Sequence, residues 1–321
     1  MAIRLDMRAV IAGFILLGLA LVPLYAWLAD DVYVLTYFGR ILAFALAALG
    51  LNLVLGFGGM ASLGHAMYVG FGAYTVGILS TLGITSGWLH LAVAALVTLT
   101  ISLPVGWVAL RTRGMAFIMI TLAFAQLFFY VFVSLRAFGG DEGLSLTELS
   151  DFGPLTGNKY AVYLSLFATL LLTLWLIARL VESRFGLVLK ATRFNARRVN
   201  AVGTDSQSYR LVAYLVSAQI CALSGYFMAN LNGFVSPAMM SWLVSAELMV
   251  MVLLGGMGTV FGPIAGAAGL LLVEDGLKLL TEHWPLILGP LVLLVVLGMR
   301  QGIWGILLSA QEKARQAGGH H

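Results

Sequence analysis

The chain has 321 residues, of which 61% are hydrophobic and only 10% charged, against about 25% charged in an ordinary soluble domain. So few charges cannot cover a water-facing surface, which excludes a soluble globular protein. The net charge of +4 comes from basic residues dispersed between apolar runs, a pattern unlike a nucleic-acid-binding face, and the single cysteine, Cys221, excludes an internal disulfide and a cysteine-based metal site.

A membrane helix needs about 20 apolar residues. The first run, 9–29, is uncharged. It exceeds a signal-peptide core of about 7–15 residues and lacks a small-residue cleavage site, so it reads as a retained span. Residues 41–110 contain no Asp, Glu, Lys or Arg. Glycines and Pro104 punctuate this interval, giving expected spans at 36–55, 62–81 and 89–110. Further spans are expected at 115–135, 160–180, 209–230, 244–257, 261–280 and 285–299. Glycine-rich turns break 36–81 and 244–280, so the count is about ten, with eight to ten allowed. With the N-terminus inside, fourteen of the eighteen basic residues fall on the cytoplasmic side, and only Arg40, Arg136, Lys159 and Lys278 fall outside. This bias predicts two cytoplasmic termini and an even number of crossings.

The expected fold is therefore all-α: one polytopic membrane domain over residues 1–310, followed by a flexible tail at 311–321. An acidic loop (136–159, with Asp141, Glu142, Glu148 and Asp151) is placed outside, and a basic loop (181–208) inside. No Gly-Lys pair occurs, so no loop can cradle phosphates, and neither a metal cluster nor a catalytic dyad is evident. Glu247, Glu274 and Asp275 fall near expected outer helix ends rather than in mid-span. The chain is expected to bind no cofactor and to be no enzyme.

The inner loop carries the most information. Residues 187–202 have a helical pattern that puts Leu187, Ala191, Phe194 and Arg198 on one side. Gly186 can break the preceding span, and Gly203 can close the helix in a left-handed cap. Such a helix can lie in a groove of another protein, its arginines gripping carboxylates. Equally, a basic loop can set topology or touch anionic lipid.

The glycine-rich breaks also allow two readings. Freed backbone at membrane depth must face protein or a water-filled cavity, and transporters place such breaks on the substrate path. Small residues also allow helices to pack closely. Candidates for a path are Asn52, Gly59, Ser62, His65, Gln126, Gly255 and Gly256. The plainer reading makes His65 a buried, satisfied histidine and makes Asn52, Gln126, Gln219, Asn230 and Asn232 bridges between helices. A Gly-Gly-Met echo recurs at 58–60 and 255–257.

The inner loop resembles the cytoplasmic coupling loop of permeases in ATP-driven (ABC) importers. More narrowly, it is similar to the branched-chain amino-acid permease family, whose loop runs S-x-x-G-x-x-x-x-A-x-R-x-N-x-x-A-A-x-x-x-G. Ser183, Gly186, Ala191, Arg193, Asn195 and Gly203 fit that pattern, and Arg198 and Val199 depart from it. GFGGMASLGHAMYVGFGAYT (56–75), GGDEGL (139–144) and LLGGMGTVFGPIAGA (253–267) resemble three further family segments, with weak support from QGIWG after Arg300. The resemblance implies a bacterial inner-membrane permease that pairs with a second, homologous permease subunit, two cytoplasmic ATP-binding subunits using ATP and Mg, and a periplasmic binding protein. It also implies ATPase coupling through Gly186, Ala191, Thr192, Arg193, Asn195, Arg197 and Gly203. A branched-chain or other hydrophobic amino acid is the first substrate expectation; urea, aromatic compounds and small carboxylates are alternatives. An ion-coupled carrier and a purely structural subunit are the rival classes.

Overall fold

A computed structural model describes residues 7–146, 148–152, 159–298, 302 and 304. The expected flexible tail (311–321), Arg4, Arg300, Lys313 and Arg315 lie outside the described residues, as does most of QGIWG. The described chain is almost wholly helical. Helix α1 spans Met7–Ala29 and α2 spans Val32–Asn52, opened by an Asp31 carboxylate that accepts from the Tyr33 N–H. A π turn, Leu53–Phe57, ends α2. Then follow α3 (His65–Thr81), α4 (Gly87–Ala109), α5 (Met115–Ser134), α6 (Lys159–Glu182) and α7 (Arg184–Ala201). The chain continues through α8 (Ser206–Asn232), α9 (Trp242–Gly255), α10 (Gly262–Leu280) and α11 (Trp284–Gly298). Two short strands, β1 (Leu144–Ser145) and β2 (Phe234–Val235), pair antiparallel.

A helix occupies each expected span, and α7 lies between two of them. Six helices are long and apolar enough to cross a membrane. Helix α9 has only 14 residues, about 21 Å at 1.5 Å per residue, against a hydrocarbon core of about 30 Å. The protein is a multi-pass membrane protein.

The centre is built from α2, α3 and α8. In the most apolar window of α2, 89% of residues are buried, against 17% in α1 and in α5. Between helices in lipid there is little hydrophobic drive, so close packing and interhelical hydrogen bonds must hold them. Both are present. Ser217, Cys221 and Ser224 of α8 donate to the carbonyls of Gly50, Ala47 and Ala43 of α2, at 2.6, 3.6 and 2.6 Å. The descending partner numbers make the seam antiparallel. Bonds of this kind contribute about 0.6 kcal/mol each in a membrane. Where α3 crosses α8, a Cβ on Gly72 would strike the Ala222 carbonyl, and one on Gly225 would strike that of Val69. These two glycines let the backbones touch. The outer helices α1, α4, α6 and α11 instead show Trp27, Leu96, Trp175 and Leu294 to the surroundings, as lipid-facing helices do.

Candidate functional site

The two glycine-rich breaks, some two hundred positions apart in sequence, meet at one end of the bundle. The π turn loosens the end of α2, and residues 58–64 run on without helix before α3. Helix α9 stops at Gly255, and the chain turns through Gly256 (φ +117°) and Gly258 (φ +75°), conformations that favour glycine. Buried Asn52 joins the two: its Nδ2 donates to the Thr259 carbonyl at 2.8 Å, and its Oδ1 accepts from the Gly258 N–H at 3.0 Å. The two Gly-Gly-Met echoes are thus spatial neighbours.

Helix α7 closes over this junction. Its Arg193 guanidinium donates to the Gly56 carbonyl. A Cβ on Gly59, itself at φ +66°, would meet Arg193 Cγ at 2.6 Å. A cation from α7 therefore satisfies a carbonyl at the break.

The expected single helix over 187–202 is corrected by the structure. It starts at Arg184 and is interrupted at Asn195 (φ −158°, ψ 93°). The Asn195 Oδ1 accepts from the Arg198 N–H at 3.1 Å, the geometry of an N-cap that opens a second short helix. Gly186 does not end α6; Ser183 separates the two helices, and Gly186 packs against the Val181 backbone where a Cβ would collide. Gly203 ends α7 at φ +86°, the left-handed cap expected of it. Gly186, Leu189, Thr192 and Ala196 face the bundle. Ala191 and Arg197 face away, with Leu187 62% and Phe194 86% exposed.

Ser62 and His65 are fully enclosed. His65 Nδ1 lies 2.9 Å from Ser62 Oγ, and its ring meets the edges of Tyr68 and Tyr214. Ser245 Oγ accepts from the Ala66 N–H at 2.9 Å, and Thr121 Oγ1 accepts from Leu63 N. These contacts pin the start of α3. Gln126 stands apart, half-buried on α5. Among the described residues the seven path candidates do not line one cavity: Asn52, Gly59, Gly255 and Gly256 gather at the junction, Ser62 and His65 are shut in, and Gln126 is elsewhere. Ser245, Thr121 and Tyr214 were not singled out from sequence, because an isolated hydroxyl in an apolar run gives no sign of its partner.

The opposite end is built differently. Buried Glu274 of α10 meets Lys278 Nζ at 2.5 Å and Arg40 of α2 at 3.9 Å, while Lys278 also reaches Asp275 at 2.9 Å. Arg40 and Lys278, two of the expected outer-side charges, are thus tied to carboxylates of α10. Glu247 Oε1 of α9 is buried with no hydrogen-bond partner among the described residues. The acidic loop is stitched down as well: the Ser150 N–H donates to Asn230 Oδ1 at 2.9 Å, His90 Nδ1 lies 2.8 Å from Ser150 Oγ, and the Gly87 N–H donates to the Asp151 carbonyl at 2.6 Å. Among the described residues, no three of His, Cys, Asp and Glu gather to hold a metal.

Residues 33–297 match the family described as "Branched-chain amino acid transport system / permease component". The chain is 29% identical, over 85% of its length and 72% of the relative's, to the high-affinity branched-chain amino acid transport system permease protein LivM of Salmonella typhimurium. It is 24% identical to the corresponding LivH of Escherichia coli, over 82% of this chain and 91% of that one. It is also 32% identical to an autoinducer 2 import system permease protein, LsrC, of Photorhabdus laumondii, over 49% of this chain and 48% of the relative. No solved structure matches the chain.

Proposed function

The chain belongs to the branched-chain amino acid transport permease family, and from that premise we propose that it is one permease subunit of an ATP-driven importer in the bacterial inner membrane. It is a transport component rather than an enzyme. In this reading both termini are cytoplasmic, the α7 end faces the cytoplasm, and α9 and α10 form a broken pair of crossings. The chain binds no cofactor; two partner ATPases use ATP and Mg. A second, homologous permease subunit completes the path, and a periplasmic binding protein delivers substrate on the side of the acidic loop.

The observation that supports this reading best is α7. It sits at the end of the bundle, holds Leu187 and Phe194 away from the protein, and is tied through Arg193 to the break after α2, which Asn52 joins to the break after α9. An exposed apolar face on a short helix is what a partner groove requires. ATP-driven closure of the ATPases would displace α7, and Arg193 and Asn52 would pass that displacement to the ends of α2 and α9. The path then opens or shuts at the interface with the second permease. The cargo is a branched-chain or similarly hydrophobic amino acid. Urea, aromatic compounds and small carboxylates are the alternatives, which titration of the cognate binding protein separates.

Ala191→Glu and Phe194→Asp, on the exposed face, test the coupling. Recovery of the ATPase with the tagged chain and ATP-dependent leucine uptake should both fall by about tenfold or more, with the variants still monodisperse. Unchanged association and uptake would overturn the reading.

A further inference from the structure

We propose that Arg113, Arg193, Arg197 and Arg210 form a binding site for the headgroup of an anionic phospholipid at the α7 end. The four come from three places: the turn before α5, the middle of α7 and the start of α8. They line one cavity of about 420 Å³. Arg113 and Arg210 also line a second cavity of about 100 Å³ beside Gly114 and Phe117. Four cations on one cavity repel one another unless an anion stands between them.

Among the described residues no carboxylate pairs with these cations. Among the described residues, every ion pair lies at the opposite end, on Arg40, Glu274, Asp275 and Lys278. Arg193 spends one nitrogen on the Gly56 carbonyl. Arg210 Nε is buried with no hydrogen-bond partner. Asp205, the carboxylate nearest Arg210 in sequence, accepts instead from Ser208 Oγ at 2.5 Å and Gln207 N at 3.0 Å, bonds that hold its carboxyl below the usual range. Guanidinium forks match phosphate oxygens in pairs.

The surroundings favour a lipid as the source of that phosphate. The smaller cavity opens at the start of α5, whose Met115 and Met119 are 70% and 58% exposed, so an apolar flank for acyl chains adjoins the cations. Arg111 lies over the Trp107 ring at 3.5 Å from its centroid, a pairing suited to the headgroup level. Basic pockets between membrane helices on the cytoplasmic side hold acidic headgroups in this way. The proposal uses the reading above only to say which leaflet supplies the lipid.

The test uses the full chain in neutral detergent, with lipid retention followed by native mass spectrometry. The probes are phosphatidylglycerol, phosphatidylcholine and inorganic phosphate. Phosphatidylglycerol should be retained over phosphatidylcholine. Retention should fall about tenfold in Arg113→Gln/Arg210→Gln, recover in part in Arg113→Lys/Arg210→Lys, and stay unchanged in Arg111→Gln. If the double glutamine variant is not monodisperse, Arg113→Gln alone carries the test, because Arg113 is exposed. Equal loss in Arg111→Gln, or no loss in the cavity variants, overturns the site. Millimolar phosphate that displaces the lipid completely reassigns it to a free oxyanion. Displacement by the ATPase, with the same variants failing to bind that protein, reassigns it to an acidic partner surface. Absence of lipid binding would leave the importer reading standing, since that reading is tested by uptake and ATPase recovery.

Discussion

The two ends of the bundle solve the same problem with opposite chemistry. At the end holding Arg40 and Lys278, charges are matched: Glu274 and Asp275 take up the cations, and the acidic loop is stitched to α3, α4 and α8. At the α7 end, backbone carbonyls are satisfied by Asn52 and Arg193, but arginines and an apolar face are left without partners among the described residues. Among the described residues the first end pairs Arg40 and Lys278 within the chain and leaves Glu247 Oε1 as its buried carboxylate oxygen without a hydrogen bond. In the proposed importer the second end is finished by other molecules, and on that reading the asymmetry locates the working surface more firmly than any single residue does.

The most damaging way to break the comparison is Asn52→Leu. It strands the Gly258 N–H and the Thr259 carbonyl, at about 1–3 kcal/mol for each buried group left unsatisfied. Thermal unfolding in detergent should shift down by several degrees, and uptake should vanish. A variant as stable as the parent would mean that the glycine turns do not depend on one another. Arg193→Gln should cost less stability, about 1 kcal/mol, because the side chain is partly solvated. Its effect belongs to coupling: ATP-dependent uptake should fall about tenfold while the ATPase still associates. Parallel loss of both would make Arg193 a docking residue. The smallest effect is expected from Glu247→Gln, which removes a carboxylate at the matched end. Uptake should stay within about twofold; a collapse of transport, together with parent uptake that survives ATP depletion, would favour an ion-coupled carrier.

Much of this was legible in the sequence. Charge-free runs located the helices, because lipid tolerates so little charge, although the run 41–110 needed its glycines and Pro104 to be divided. Gly256 and Gly258 adopt positive φ, a backbone that favours glycine. What composition could not supply was pairing. Nothing near Asn52 announces a partner at Thr259, and Arg193 in a basic loop looks like any solvated cation until the π turn exposes the Gly56 carbonyl. The outer-side charges Arg40 and Lys278 were legible by position, but not their pairing with Glu274 and Asp275, because sidedness rules count charges and not the carboxylates they meet. The interruption of α7 at Asn195 was hidden because an N-cap inside a helical pattern differs from a helix interior only in its dihedral angles.

The ladder of Ser217, Cys221 and Ser224 on α2 has a mechanical consequence. Its acceptors are carbonyls of the α2 backbone, spaced about one turn apart, and the glycine contacts of Gly72 and Gly225 add α3 to the same block. Rotation of α8 against α2 would break every rung together, so these helices move as one lever rather than hinging. In the proposed coupling, Arg193 bears on the end of that block, so a small push on α7 would tilt the block as a whole and the sliding surfaces would lie among the sparsely packed outer helices.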